Sequence, residues 1–389
     1  METKKVLFIS QHNPFGATGG GTLASKAYLF SFTKIAQGKI DILSCTEDTG
    51  PDRALYQEYQ LINVPERSHL QKLTSIFSGY MNRYIAFARK WLIKHHDEYS
   101  LIVFDHSGIG GPLVKMAKSF GLKTVTIHHN YEREYFYDNN KGIYRTLFLN
   151  HVVRWERKSY IFSDLNLFLT NDDMETFYNV YGSSSGICRV LGTFEPKETQ
   201  LPKVQTKASC ETLTLAITGS LQSYQTEDAI NYFFKELYSC IPCEFEIIIA
   251  GRNPSNKIID LCKMYNNVDL VPNPDDMNSV ISNADIYVCA TRIGGGLKLR
   301  VMDGLRNGKP VLTHNCSARG FDVFNNYPFF KAFSTKSEFE KGLKQLALSI
   351  QNAEWTPFII QEVYEKHFSY QAGLTRLTKY LHELNYINQ

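Results

Sequence analysis

Thr291-Arg-Ile-Gly-Gly-Gly-Leu-Lys-Leu-Arg-Val-Met-Asp-Gly-Leu-Arg-Asn-Gly-Lys-Pro-Val-Leu312 follows an apolar run, Ala284 to Ala290, and leads into a second short run from Pro310 to Thr313. The pattern is strand, glycine loop, helix, strand, the repeating unit of a parallel α/β fold. Three glycines stand where strand should hand over to helix. The first N–H groups of a helix lack internal partners and carry partial positive charge, so such a junction readily holds a phosphate. Lys298 and Arg300 add full positive charge, and Asp303 lies one turn after Arg300 on the same face. Cations and a carboxylate together suit a ligand with a phosphate end and a diol end, as in a nucleotide sugar. A glycine-rich loop alone would serve a tight turn equally well, so the reading depends on the rest of the chain.

Working outward, short apolar runs alternate with longer amphipathic segments. In the first half the expected strands are Val6–Ser10, Ile40–Ser44, Leu61–Val64, Leu101–Phe104, Lys123–Ile127 and Leu165–Leu169. In the second half they are Leu213–Thr218, Phe245–Ala250, Val268–Val271, Ile286–Ala290 and Val311–Thr313. Between the two series, Thr193–Ser209 is rich in Pro, Lys, Thr and Gln, the composition of a linker. The expected organisation is two doubly wound Rossmann-like domains, 1–195 and 196–389. An amphipathic helix at about 370–384 could pack back on either domain, the N-terminal one included.

The chain has 389 residues, 43% of them hydrophobic and 21% charged, and a net charge of +3. That describes an ordinary globular protein and gives no footing for nucleic-acid binding. Eight scattered cysteines, several inside apolar runs, read as reduced thiols of a cytoplasmic protein. The N-terminus reads as a strand rather than a signal peptide, and no apolar run is long enough to span a membrane. Residues 80–96 combine aromatics with Arg83, Arg89, Lys90 and Lys94. Such a helix could lie on an anionic membrane surface or pack on its own sheet, and 143–160 is ambiguous in the same way.

Ligands of open α/β sheets bind beyond the carboxyl ends of the strands. The loop after the first strand carries Gly16 and Gly19, Gly20 and Gly21, placed to let backbone approach a ligand. His128 and His129 end the fifth strand, Asp105-His106 the preceding one. Adjacent residues of an extended segment point to opposite faces, so only one histidine of the pair can face a ligand. In the second half, Gly219 ends one strand, and Gly251-Arg252 ends the next.

This constellation resembles the retaining, nucleotide-sugar-dependent glycosyltransferases of the GT-B fold, family 4. The segment 294–312 is similar to that family's glycine–basic–acidic helix, and the glycine loop at 16–21, His129-Asn-x-Glu132, Ile217-Thr-Gly-Ser220, Ile249-Ala-Gly251 and Asn283-Ala-Asp-Ile-Tyr-Val288 match as well. The resemblance implies a GT-B α/β fold, two Rossmann-like domains facing across a cleft, the first binding acceptor and the second the donor. It places Asp303 on the ribose hydroxyls, Lys298 and Arg300 on the diphosphate, and Gly20 and Gly21 against it from the first domain. His129, or His128 if the register slips, takes the place of the histidine that contacts the transferred sugar. Gly219, Arg252, Gly295, Gly296 and Leu297 complete the donor set. One departure stands out. The family's usual glutamate pair would fall at 295 and 303, where this chain has Gly295 and Asp303.

The activity implied is transfer of a sugar from a nucleoside diphosphate donor, UDP- or GDP-linked, to a glycan or lipid-linked acceptor in surface polysaccharide assembly. Retention follows from the resemblance alone. No cofactor or metal is expected: the chain has no Asp-x-Asp, and preset cations can stabilise the charge that develops on the leaving diphosphate. The expected location is cytoplasmic, peripheral to the inner membrane face. A nucleotide-sugar epimerase, a nicotinamide-dependent oxidoreductase and a non-catalytic binding protein on the same fold stay open. The missing G-x-G-x-x-G weighs against the oxidoreductase.

Overall fold

A computed structural model describes residues 4–11, 13–15, 20–44, 59–77, 83–204, 212–294 and 297–387. The chain forms two units, residues 1–198 with 368–389, and residues 199–367.

The first unit is built on a seven-stranded sheet of β1 (Lys5–Ser10), β2 (Ile40–Ser44), β3 (Gln60–Asn63), β4 (Tyr99–Asp105), β5 (Lys123–His128), β6 (Leu165–Phe168) and β7 (Ile187–Val190). Their order is β3-β2-β1-β4-β5-β6-β7 and every pairing is parallel. Its helices are α1 (Gly20–Ile35), α2 (His69–Phe77), α3 (Arg83–His95), α4 (Ser107–Ser119), α5 (Glu132–Asn139), α6 (Gly142–Phe162) and α7 (Asn171–Tyr181). Strands such as Val6-Leu-Phe-Ile9 are apolar at consecutive positions because both sheet faces are covered, and all four residues are buried.

The second unit repeats the plan with β8 (Thr214–Ser220), β9 (Glu246–Arg252), β10 (Val268–Pro272), β11 (Ile286–Cys289), β12 (Val311–His314) and β13 (Phe330–Phe333). The order is β10-β9-β8-β11-β12-β13, again all parallel. Its helices are α8 (Tyr224–Tyr232), α9 (Asn256–Cys262), α10 (Met277–Ser282), α11 (Arg300–Arg306), α12 (Asn315–Ala318), α13 (Lys336–Gln351) and α14 (Pro357–Phe368), the last reaching the unit boundary; α15 (Tyr370–Glu383) closes the chain. Both sheets have the Rossmann order, in which the connection reverses direction beside the first strand. That reversal opens a crevice at the strands' carboxyl ends, between β1 and β4 and between β8 and β11.

Two close approaches fix the first unit's site. A Cβ on Gly111 would run into the Trp155 carbonyl, and one on Gly110 would meet Thr126 Oγ1 at 2.8 Å, so α4 and α6 touch almost backbone to backbone. The contact carries the middle of α6 under the end of β5. Among the linker residues, Thr193 and Phe194 are buried, and the Phe194 ring packs on Tyr28 and against Gly373 of α15. Arg376 Nε and Tyr380 OH donate to the carbonyls of Leu191 and Val190 at 3.0 Å each, and Leu377 and Leu381 are buried. The terminal helix therefore packs within the first unit.

The apolar side of α3 is already occupied. Tyr84, Ile85, Ala88 and Leu92 are buried in the first unit's core, with Phe87 and Trp91 packed beside them. Of the two placements left open for 80–96, the packing of Tyr84, Ile85, Ala88 and Leu92 fits a helix that covers its own sheet, and 80–82 fall outside the described residues. The two strands missing from the sequence reading, β7 and β13, are four-residue edge strands, Ile-Cys-Arg-Val and Phe-Lys-Ala-Phe. Each carries a cation that interrupts the apolar run, as an edge position permits.

Candidate active site

At the first unit's switch point, Ser10 ends β1 and Asp105 ends β4 as register partners. The Asp105 carboxylate is fully buried. Ser10 Oγ donates to its Oδ2 at 2.8 Å, and His129 Nε2 lies 2.6 Å from Oδ1. Burial opposes the charged carboxylate, but His129, by its charge when protonated and by hydrogen bond, holds the Asp105 pKa below its ordinary value.

His106 begins α4. Its Nδ1 accepts from Gly108 N at 2.9 Å, so Nε2 carries a proton and donates to Glu132 Oε1 at 3.1 Å. Glu132 opens α5, and its own N–H donates to Glu156 Oε1 at 2.6 Å; Tyr181 OH donates to Glu156 Oε2 at 2.6 Å. Glu156 thus caps α5 from the middle of α6. Burial, reinforced by the Glu132 charge, pushes the Glu156 carboxyl up to about 8. Glu132 goes the other way: burial opposes its charge, yet His106 outweighs this and lowers its pKa.

His128 and His129 have separate fates. His128 is fully buried, stacked on Phe168 at 4.8 Å between centroids and edge-on to Phe177 at 4.7 Å. Its Nε2 pairs with Asn166 Oδ1 at 2.9 Å, and Nδ1 has no partner among the described residues. Burial holds its pKa down at about 4, so the ring is neutral. Named in the sequence reading as the alternative catalytic histidine, His128 is a core residue, because alternation along β5 turns it away from Asp105. His129 is the residue at the strand edge. Gly20 and Gly21 form the first residues of α1; Gly16 and Gly19 lie outside the described residues.

In the second unit, the β8–β9 edge carries Gly219 paired with Gly251 and Ser220 paired with Arg252. The Arg300 guanidinium fills the space a side chain at Gly219 would take: a Cβ there would lie 2.5 Å from Cζ and 2.9 Å from Nη2. Glycine at 219 is therefore a seat for Arg300. Gly294, at φ +89°, adopts a left-handed backbone that favours glycine, and Lys298 Nζ and Cys316 Sγ converge on its carbonyl at 3.0 and 3.6 Å. Burial lowers the Lys298 pKa, with Arg300 and Arg319 adding to the effect.

The helix does not start at the glycines. It begins at Arg300 and runs seven residues, so Leu297 and Lys298 belong to the loop and Arg300 to the first turn. Asp303 is in that first turn, half-buried; below it Tyr287 OH pairs with Thr218 Oγ1 at 2.6 Å. Burial first, and the Asp303 charge second, push the Tyr287 phenol well above its ordinary value. A Cβ on Gly304 would meet the Tyr287 ring at 2.8 Å, so this glycine lets the helix sit directly on β11. Gly295 and Gly296 lie outside the described residues. Arg252 ends β9 with its side chain exposed, on the same edge.

Within the second unit the predicted residues Gly219, Lys298, Arg300 and Asp303 gather at one switch point. Within the first, His129 stands at the other. Sequence reading missed Glu156. The residue sits in the middle of a helix with no motif around it, and only the Gly110–Gly111 crossing brings it to the site. A carboxylate at a buried helical position among Val153, Tyr160 and Ile161 was the available signal.

Residues 212–326 match the family described as "Glycosyl transferases group 1". No curated protein matches the chain by sequence. Solved structures similar in fold include HepE from Anabaena in complex with UDP, with 13% identity over 97% of this chain and 100% of that one, TM-score 0.66. They also include sucrose-phosphate synthase from Thermosynechococcus elongatus, 13% identical over 98% of this chain and 99% of that one, TM-score 0.69. A third is the lipopolysaccharide outer core galactosyltransferase WaaB, 12% identical over 97% and 99%, TM-score 0.68. With two parallel-sheet Rossmann-like units of the GT-B type and a group 1 glycosyltransferase domain at 212–326, the chain is an enzyme of the glycosyltransferase class.

Proposed function

We propose that the protein transfers a sugar, with retention, from a nucleoside diphosphate donor to a glycan or lipid-linked acceptor in surface polysaccharide assembly. The observation that carries this is the seat of Arg300 on Gly219, which puts a guanidinium at the crevice of the second unit's sheet. A guanidinium there, with Lys298 behind the Gly294 carbonyl, meets a diphosphate; Asp303 accepts from the ribose hydroxyls. When the glycosidic bond breaks, charge builds on the leaving diphosphate, and these cations stabilise it without reorganising. The load falls on them rather than on a metal. HepE is known as complexes with UDP and with UDP-glucose, which supports a uridine donor. The first unit binds the acceptor, with His129 directed to a sugar.

The setting proposed is the cytoplasmic face of the membrane. Among the described residues, no helix is long and apolar enough to cross a membrane. The surface offered to lipid is the α5–α6 hairpin rather than α3: Tyr137, Ile143, Tyr144 and Leu147 are exposed beside Arg145. Aromatic and aliphatic side chains among cations suit an anionic interface.

Thermal stabilisation by UDP, GDP, ADP, CMP and NAD tests the donor site. A ligand at about 100 times its dissociation constant adds roughly 2.7 kcal/mol. A selective shift with one nucleoside diphosphate, reduced in Asp303→Ala, supports the reading, and no shift at millimolar ligand refutes it. The anomeric configuration of the product, read by NMR, decides retention. Flotation with anionic against zwitterionic vesicles, for wild type and Tyr144→Ser/Leu147→Ser, tests the surface.

A further inference from the structure

The carboxylate behind His129 has a consequence for what that ring can offer. Asp105 is fully buried at the end of β4, with one oxygen taken by Ser10 Oγ at 2.8 Å and the other 2.6 Å from His129 Nε2. A carboxylate cannot donate, so in the neutral imidazole the single N–H must sit on Nε2. That leaves a bare lone pair on Nδ1, for which no partner exists among the described residues. The ring is held on both sides, by the Tyr28 ring edge at 6.0 Å and the near-parallel His106 ring at 6.4 Å between centroids. Its side chain is 9% exposed, so one small face reaches the strand edge. His128 provides the contrast: its Nε2 is paired with an amide oxygen and its Nδ1 is sealed in the core.

We propose that Asp105 is a positioning residue that holds His129, in its neutral form, as the Nε2–H tautomer, so that Nδ1 accepts a hydrogen bond from a hydroxyl of the sugar substrate. The proposal rests on the glycosyltransferase reading above and adds the group that sets the histidine's polarity. Without Asp105 the proton distributes over both nitrogens, and the fraction of rings offering an acceptor falls. A donor hydroxyl would then meet N–H against O–H or a misoriented ring. The loss falls on the chemical step more than on the binding of the nucleoside diphosphate, which the second unit's cations hold.

Long-range proton–nitrogen correlation spectra of protein labelled with 15N-histidine read the tautomer directly. The His129 signals are assigned by their loss in His129→Gln. Wild type is expected to show protonated Nε2 and bare Nδ1 in the neutral ring, and Asp105→Asn a mixture. Transfer assays with a nucleoside diphosphate sugar are expected to show kcat about 100-fold lower in Asp105→Asn. KM for the donor and the thermal shift with UDP should stay within about threefold. If donor hydrolysis without acceptor slows equally, the hydroxyl belongs to the donor sugar; if only transfer slows, it belongs to the acceptor. A wild-type ring protonated on Nδ1, or an unchanged kcat in Asp105→Asn, overturns the proposal. Should Asp105→Asn fail to fold, Ser10→Ala frees the second carboxylate oxygen and should lower kcat several-fold at unchanged KM; unchanged kcat there also overturns it. A wild-type protein that transfers no sugar from any donor would sink the glycosyltransferase reading, while the spectrum would still judge the tautomer.

Discussion

An alanine at 219 would separate the two roles that a glycine can have at a strand end. Gly219 is not in a left-handed conformation, so alanine meets no backbone penalty there. The three atoms nearest its methyl would all belong to the tip of Arg300, at 2.5 Å for Cζ and nearer still for Nη1. Arginine has enough torsions to swing its guanidinium away, so the fold should yield little. Loss of a glycine's freedom in the unfolded chain offsets part of any cost, by about 0.4–1 kcal/mol, and the melting point should stay within a few degrees. Binding should not be spared. A hydrogen bond to a charged group is worth about 1.5–3 kcal/mol, or roughly a 10- to 100-fold rise in the dissociation constant for UDP. Isothermal titration of wild type, Gly219→Ala, Arg300→Ala and the double variant measures this. Because both changes remove the same contact, the double variant should bind no more weakly than Arg300→Ala. Wild-type affinity in Gly219→Ala, or full additivity, would refute the assignment of Arg300 to the diphosphate. The neighbouring glycine gives the opposite outcome. A Cβ on Gly251 would strike the Gly219 carbonyl oxygen, which is backbone, so Gly251→Ala should cost about 3 kcal/mol or more of stability.

His128→Ala should remove a buried ring and its hydrogen bond to Asn166, at about 3 kcal/mol; calorimetry should show melting roughly 6–12 °C lower, with kcat kept at permissive temperature. Glu156 has a folded pKa of about 8, above its unfolded value. Its contribution is fully present below the unfolded pKa, near 4.3, and is lost as pH rises through about 8. Melting curves of wild type and Glu156→Gln should therefore diverge between about pH 5 and 8, the wild type losing stability faster toward alkaline pH; parallel curves would show that the shift is absent. Chelation should leave transfer largely intact if Lys298 and Arg300 carry the diphosphate charge, so activity in EDTA and in added magnesium should agree within about twofold; a large loss in EDTA would show that a metal shares the load.

The strands that were legible in the sequence are those sealed on both faces, such as Val6–Ser10 and Ile286–Cys289, where apolar residues run without interruption. Edge strands carrying Arg189 or Lys331 leave no such trace. The site was legible where chemistry and glycine coincide along the chain, as from Gly294 to Asp303. It was illegible where packing does the assembling. The seat of Arg300 on Gly219 joins residues 81 positions apart, and the Glu156 cap on α5 depends on a helix crossing at Gly111. The start of α11 was misplaced because Leu297 to Leu299 have good helix formers but remain loop. The choice between His128 and His129 needed the register of β5, which two adjacent histidines cannot reveal.

The terminal helix gives the molecule an unusual order of completion. Residues 199–367 form one uninterrupted piece, whereas the first unit needs residues 368–389 to cover Phe194. During synthesis the second unit can therefore close while the first, though begun earlier, still waits for its last helix. A protein cut short by a late stop codon would keep its second unit whole and fail in its first. For a gene engineer the second unit is an insert within the first, continuous from 199 to 367, with α14 running one residue past its end. The first can be made alone only by splicing its two ends across the gap.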